Sequence, residues 1–402
     1  MPIGDKKGGF VRPGYDPLEV PNEPTSVAVS SGDSSLDVSF TAPVNTGGGA
    51  VTGYQATTTT GASGTGASSP VTITGLTNGV SYDVRVWALN AYGPGPFGTG
   101  SGTPEQVLAA FASQSDFSNS NLIDYVSVST LSNASDWGDL ASAIQAPGGC
   151  ASTTRGIFGG GATAASSGAM LSTVQFITWA STGNTANFGN LTTARFMLSG
   201  LNSATRGVFC GGSNGSGTQY NTMDYITMSS SGTAAGFGSL TTTAGGFGPL
   251  ATSSSSTRGI IGGGYYANIV SGINYITIAS TGNATSFGTL TGSYGTYMAG
   301  CSSATRSLFF GGSNFGIGGN DIQYVTIATT GNSTDFGDLL SATAQCQASS
   351  SPTRGVFNGG TASTNVIQYI TIATTGNAAD FGDLTTSRVG GTSVSSGNGG
   401  LQ

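Results

Sequence analysis

From about residue 24 to residue 104 the chain alternates apolar and polar positions in short runs. Val27/Val29, Leu36/Val38/Phe40, Tyr54/Ala56, Val71/Ile73 and Val84/Val86/Ala88 each place apolar residues two apart. That spacing puts them on one face of a β-strand. Gly, Asn, Ser and Thr clusters separate the runs, so about seven short strands joined by turns are expected, packed as a sandwich. The interval from Leu76 to Tyr82 suits a tyrosine corner, where the ring fills the end of the core and the hydroxyl ties to backbone across the turn. Residues 1–23 hold no such period. They contain Pro2, Pro13, Pro17 and Pro21, with Phe10, Val11, Tyr15, Leu18 and Val20 scattered among them. Two readings are open for this segment: a disordered leader, or an extended arm that orders on a partner through those apolar anchors.

Beyond residue 105 the pattern repeats. TTRGIFGGG, ATRGVFCGG, STRGIIGGG, ATRSLFFGG and PTRGVFNGG recur, with arginines at 155, 206, 258, 306 and 354. Each is followed by a run such as INYITIASTGN and then by an aromatic–glycine segment such as ADFGDL. Trp137, Phe188, Phe237, Phe287, Phe336 and Phe381 fall in register at spacings of 51, 49, 50, 49 and 45. A period near 50 predicts a propeller or an array. With strands a to d in each unit, a is the semi-apolar stretch before TRG, b is TRGVF-like, c is YITIA-like and d carries FGDL. The tail SRVGGTSVSSG reads as an a strand with nothing after it, and QVLAAFASQ as a b strand with nothing before it. Joining them gives six four-stranded blades and a ring closed by the C-terminal strand, which leaves no open edge.

Composition narrows the chemistry. The chain has 402 residues, no histidine, 11 Lys+Arg against 18 Asp+Glu, and a net charge of −7. Without histidine, Ser-His-Asp and Cys-His catalysis and most zinc or copper sites are excluded. So few cations argue against a nucleic-acid groove. No apolar run is long enough to span a membrane, and the first residues lack the apolar core of a signal peptide. Cys150, Cys210, Cys301 and Cys346 form no CxxC pair and are expected to be free. No cofactor and no enzymatic activity are expected.

The segments SFTAPVNTGGGAVTGYQ and GLTNGVSYDVRVWALNAYG resemble the fibronectin type III family over residues 24–104, with Phe40 where many members carry Trp. That resemblance implies a spacer or binding module. The glycine pair ending b, the aromatic opening c and the aromatic in d resemble kelch-repeat propellers over residues 105–402. The whole, an all-β chain with an arm, a sandwich and a propeller, resembles virion structural proteins of tailed bacteriophages. The resemblance implies a virion location in a tail, baseplate or capsid surface, other virion proteins as partners through the arm, symmetric multimers, and host-surface glycan as ligand. A capsid or neck decoration protein, and a bacterial surface or secreted interaction protein, are the alternatives.

Three sets of residues break or decorate the repeat. The arginine ring reads either as scaffold or as an anion-binding face. Asp136/Asp139, Asp335/Asp338 and Asp380/Asp383 flank strand d in blades 1, 5 and 6, which ring closure makes neighbours. They are either solvated acids or one acidic arc for docking or a weak cation site. Tyr220, Tyr265, Tyr266 and Phe315 lie in polar b–c loops, where they either fold back on the blade or stack on sugar rings.

Overall fold

The alternation at Leu36, Val38 and Phe40 is realised in a sandwich of seven strands: β1 (Thr25–Gly32), β2 (Ser35–Thr41), β3 (Gly53–Thr58), β4 (Ser63–Gly66), β5 (Val71–Thr74), β6 (Tyr82–Asn90) and β7 (Gly93–Gly102). One sheet has the order β1-β2-β5 and the other β4-β3-β6-β7. Every apolar position named above for β2, β3, β5 and β6 is buried between them. The Thr77 N–H donates to the Tyr82 hydroxyl oxygen at 3.1 Å, and Leu76 is buried beneath, as the corner requires. The chain is tied to this unit by residue 19: the Glu19 N–H donates to the Gly47 carbonyl and the Asn22 N–H to the Asn45 carbonyl.

This computed structural model describes residues 19–112, 119–163, 168–241, 250–266, 268–291, 295–314, 317–361 and 364–401. The arm anchors Phe10, Val11, Tyr15 and Leu18 lie outside them, as does Phe315. Residues 1–106 and 107–402 are separate compact units. No α-helix occurs among the described residues, and none is long and apolar enough to cross a membrane.

In the second unit the repeats become antiparallel four-stranded sheets because glycine-rich turns cut each apolar run to four to ten residues. Sheet I contains β8 (Leu108–Ala112), β9 (Ser120–Ser127) and β10 (Ser135–Ile144). Sheet II is β11 (Gly148–Ala151), β12 (Arg155–Gly159), β13 (Thr173–Thr178) and β14 (Ala186–Asn190). Sheet III is β15 (Ser199–Asn202), β16 (Arg206–Cys210), β17 (Thr222–Thr227) and β18 (Ala235–Ser239). Sheet IV begins with β19 (Ala251–Ser254) and β20 (Arg258–Gly262). A small hairpin follows, β21 (Tyr265–Tyr266) with β22 (Asn268–Ile269), before β23 (Gly272–Thr277) and β24 (Thr285–Thr289) complete the sheet. Sheet V is β25 (Ala299–Ser302), β26 (Arg306–Phe310), β28 (Ile317–Thr326) and β29 (Thr334–Thr343), with the short β27 (Ser313–Asn314) folded onto β28. Sheet VI is β30 (Gln347–Ser350), β31 (Arg354–Asn358), β32 (Thr364–Thr371) and β33 (Ala379–Arg388). The last strand, β34 (Thr392–Ser395), pairs with β8, from Thr392 opposite Ala112 to Ser395 opposite Ala109.

The a strands of successive sheets lie side by side: β11 against β15, then β19, β25, β30, β34, and β34 against β11. Gly200 shows how close they come, since a Cβ there would sit 2.1 Å from the Gly149 carbonyl oxygen. The core is divided among the sheet junctions. Phe237 and Leu240 of the III side pack with Ile261 and Ile276 of sheet IV, and Phe111 and Val126 of sheet I pack with Phe381 and Leu384 of sheet VI. Two details of the repeat differ from expectation. Arg388 ends strand β33, and the a strand begins only at Thr392, because the chain first turns through Gly390 and Gly391 at positive φ. The glycine pair of the first TRG repeat is Gly160/Gly161, at φ 70° and 102°, not the Gly159/Gly160 expected from the run TTRGIFGGG; it follows Arg155 by five and six residues, as Gly211/Gly212 follow Arg206.

Candidate functional site

The antiparallel sheets send their a–b and c–d turns to one face of the second unit and their b–c and d–a loops to the other. On the first face the repeat arginines are occupied. Arg155 Nη1 donates to the Met228 carbonyl at 3.2 Å, Arg206 to Ile278 at 2.9 Å, Arg258 to Ile327 at 2.7 Å, Arg306 to Ile372 at 2.6 Å and Arg354 to Val128 at 3.0 Å. Each guanidinium also lies over an aromatic ring of its own sheet, at 4.4–4.7 Å. The arginines therefore staple each of sheets II to VI to the next rather than offering an anion site. The c–d turns add a second staple. The side-chain oxygens of Asn184, Asn283, Asn332, Asn377 and Asn133 accept from the backbone N–H of Asp139, Ser239, Thr289, Asp338 and Asp383, all at 3.0–3.1 Å.

A third set of contacts was not recognised in the sequence. Strand c carries a buried polar residue at one fixed position in all six sheets: Asp124, Gln175, Asp224, Asn274, Gln323 and Gln368. Each accepts from the backbone N–H four residues after the strand-d aromatic of the preceding sheet, at Thr385, Ala141, Thr192, Thr241, Thr291 and Leu340 respectively. The two acids also hold arginines: Arg195 Nη1 lies 3.1 Å from Asp224 and Arg388 Nη2 lies 2.9 Å from Asp124, both arginines fully buried. The signal was present as the second residue of IDY, VQF, MDY, INY, IQY and IQY.

The structure brings the three acid-bearing strands together, β33 touching both β29 and β10. Asp136, Asp335 and Asp380 are exposed and Asp139, Asp338 and Asp383 half-buried. Asp321, opposite Asp338 in the ladder, is a further member; burial and then the charges of Asp338 and Asp335 raise its pKa. Among the described residues no three His, Cys, Asp or Glu side chains are grouped to hold a metal ion. All four cysteines are free and buried, and burial raises every thiol, Cys210 and Cys346 to about 12, so they are unreactive near neutral pH.

On the second face Tyr220 is half-buried, its N–H donating to the Gly212 carbonyl at 2.8 Å. The backbone of Tyr265 and Tyr266 forms one arm of the β21–β22 hairpin. The candidate site is the axial opening among the a strands. A cavity of about 70 Å³ is lined by their first residues, among them Ser199, Thr252, Gln347 and Thr392. The lining is hydroxyl, amide, backbone and apolar, with no charged side chain. At the other end of the a strands, Asn398 and Asn202 exchange side-chain hydrogen bonds at 3.1 and 3.2 Å. The turn Gly399–Leu401 rests there on β15, β19 and β25, so that end is occupied by the chain itself.

Residues 22–101 match the family model of the fibronectin type III domain. A solved structure, that of YjhT, a kelch-like propeller, is similar to this chain at a TM-score of 0.50 and 10% identity. The likeness covers 63% of this chain and 88% of that one. The first unit is too short to supply that share, so the likeness gives the second unit a kelch-like β-propeller fold. No curated protein matches the chain.

Proposed function

We propose that this chain is a non-catalytic structural and adhesive protein of a bacteriophage virion, a tail, baseplate or fibre component. In this reading the second unit is a six-bladed propeller, closed by β34, that binds host-surface glycan. One observation carries the reading: the two faces of that unit are built to different rules. On one face every c–d turn has seven residues (128–134, 179–185, 228–234, 278–284, 327–333 and 372–378), and each a–b turn from sheet II to sheet VI has three. On the other face the b–c loop spans thirteen residues in sheet II (160–172), eleven in sheet III (211–221) and five in sheet VI (359–363). Constant turns stapled to their neighbours are scaffold. Loops of varied length, rich in Ser, Thr, Asn and aromatic residues, are where a scaffold places recognition.

Ring closure is supported by contacts that join sheet VI to sheet I across more than 220 residues: Arg354 to Val128, Asp383 to Asn133 and Arg388 to Asp124. Binding rather than catalysis is supported by a histidine-free, weakly charged chain. Residues 1–18 and the fibronectin type III domain would serve as particle anchor and spacer. Gold-labelled antibody on particles from the source culture tests the assignment by electron microscopy. Label at a tail tip or fibre is the expected result. Label over the head or neck makes it a decoration protein, and particles without label overturn the virion reading.

A further inference from the structure

The residues that rim the axial cavity share an unusual conformation. Ala146, Met197, Tyr297 and Gln345 have φ of 44°, 55°, 57° and 60°. Each immediately precedes a residue lining the cavity, Pro147, Leu198, Met298 and Cys346, and Gly390 at φ 72° does the same before Gly391. Left-handed backbone favours glycine, and another residue there is strained. This chain has 68 glycines and uses one at this position in sheet I, yet places Met, Tyr and Gln at three of the others. The same residues are bonded into a collar. Met197 N–H donates to the Ala146 carbonyl at 2.9 Å, Gln345 N–H to Tyr297 at 2.9 Å and Gly390 N–H to Gln345 at 2.8 Å. Their side chains are half-buried, and the Gln345 amide lies near the Tyr297 hydroxyl.

Directly below lies a polar atom without a partner. Gln347 is 3% exposed and lines the cavity; its amide nitrogen donates to the Gly390 carbonyl, while Oε1 receives no hydrogen bond from any described residue. A water or a ligand hydroxyl in the cavity would satisfy a buried acceptor in that state. The cavity admits a small group, not a ring. Since the Gly399–Leu401 turn occupies the far end, access is from the collar.

We propose that the collar is a binding site for a neutral saccharide, with Tyr297 and Met197 meeting the apolar face of a terminal sugar, Gln345 its hydroxyls, and Gln347 Oε1 accepting from one hydroxyl group that enters the cavity. It rests on the glycan reading above and moves the contact from the b–c aromatics to the axis. Neutral chemistry follows from the lining, where every polar group is a hydroxyl, an amide or backbone and no charge is available to pair with an acidic sugar.

Full-length protein titrated calorimetrically with methyl glucoside, methyl galactoside and methyl N-acetylglucosaminide, and with neutral oligosaccharides containing them, tests the site. Tyr297→Gly removes the ring while giving the backbone a residue suited to its φ, so its Tm is expected not to fall. Gln347→Met removes the unpartnered oxygen at similar volume. Affinity is expected to drop tenfold or more in each, and to be unchanged in Thr182→Ala, in an exposed c–d turn of the opposite face. Binding that persists at wild-type strength in both folded variants overturns the collar and leaves the glycan reading standing. A full-length protein that binds none of these sugars overturns both.

Discussion

Among the described residues of the second unit a carboxylate is buried at two positions, and at both an arginine is buried with it. Strand c of sheets I and III carries Asp124 and Asp224, whereas sheets II, IV, V and VI carry Gln or Asn at that position. Four residues after the leucine of strand d, the preceding sheet carries Arg388 and Arg195, which pair with the acids; ahead of the amide-bearing sheets the sequence has Ile144, Ala244, Tyr294 and Thr343 at that position. An amide needs only the neighbouring N–H, but a buried carboxylate needs a countercharge. Arg195→Thr is therefore expected to destabilise the second unit by about 3–5 kcal/mol, because Asp224 is left charged and buried. Adding Asp224→Asn converts the junction to the amide type and should recover most of that loss. Denaturant midpoints for the two single variants and the double variant check it; strictly additive losses would refute the pairing. Asp321 offers a pH test. Its pKa is raised by burial and by Asp338 and Asp335, so the folded state holds its proton to higher pH than the unfolded chain does. Stability from this group is present at acid pH and is lost as pH rises through the raised value. Asp321→Asn should accordingly raise Tm at pH 7, with the gain shrinking as pH falls into the carboxylate range; a gain constant across pH would show that charge is not the cause.

The same complementarity operates between elements at the junction of sheets I and II. Leu108 stands where the other sheets have the repeat arginine, and Trp179 stands where the next sheet otherwise has Met228, Ile278, Ile327, Ile372 or Val128. The Trp179 indole packs against the same core cluster as Leu108. It packs edge-on to Trp137 at 5.7 Å and donates to the Ser152 carbonyl at 2.9 Å. Leu108→Arg alone should lower stability by about 1–3 kcal/mol, since the indole crowds the new cation on its way to the Trp179 carbonyl, the counterpart of the carbonyls the other arginines reach. Combined with Trp179→Ile it should approach the wild type, as thermal unfolding can read; equal losses in the single and double variants would mean that the two sites do not communicate. Much of this level was legible in sequence. Period-two alternation placed β2, β3, β5 and β6, and the Leu76–Tyr82 interval marked the corner, because both depend on neighbours close in the chain. The arginines' partners were not legible, for each is a backbone carbonyl in another sheet, 66 to 73 residues on for four of them and 226 residues back for Arg354, and a carbonyl leaves no mark on residue type. The collar was hidden for a related reason: Ala, Met, Tyr and Gln do not announce a left-handed φ. Of the aromatics chosen as ligand contacts only Tyr220 has a described side chain, and the cavity below the collar is lined by residues that read as ordinary strand starts.

For the whole molecule the decisive question is how the second unit ends its row of sheets. Sheets II to VI each draw four strands from one continuous stretch, so their order follows from local hairpins. Sheet I does not: β8 finds its fourth strand 280 residues away in β34. That pairing satisfies the free edge of β8, which would otherwise be exposed to other chains. It also places β34 between β30 and β11, and Val394 in the core shared by sheets I and II. Removal of residues 389–402 takes away this strand and the turn seated on β15, β19 and β25. Residues 1–106 form a unit of their own, so the sandwich should unfold unchanged. The second unit should lose its single cooperative transition, bind a hydrophobic dye, and self-associate through the opened edge. Adding a synthetic peptide of residues 389–402 should restore the transition, with a concentration dependence that reflects strand insertion. A truncated protein that keeps the full-length melting profile and stays monomeric would mean that the row of sheets is held by its successive junctions alone, and that β34 ornaments a ring it does not close.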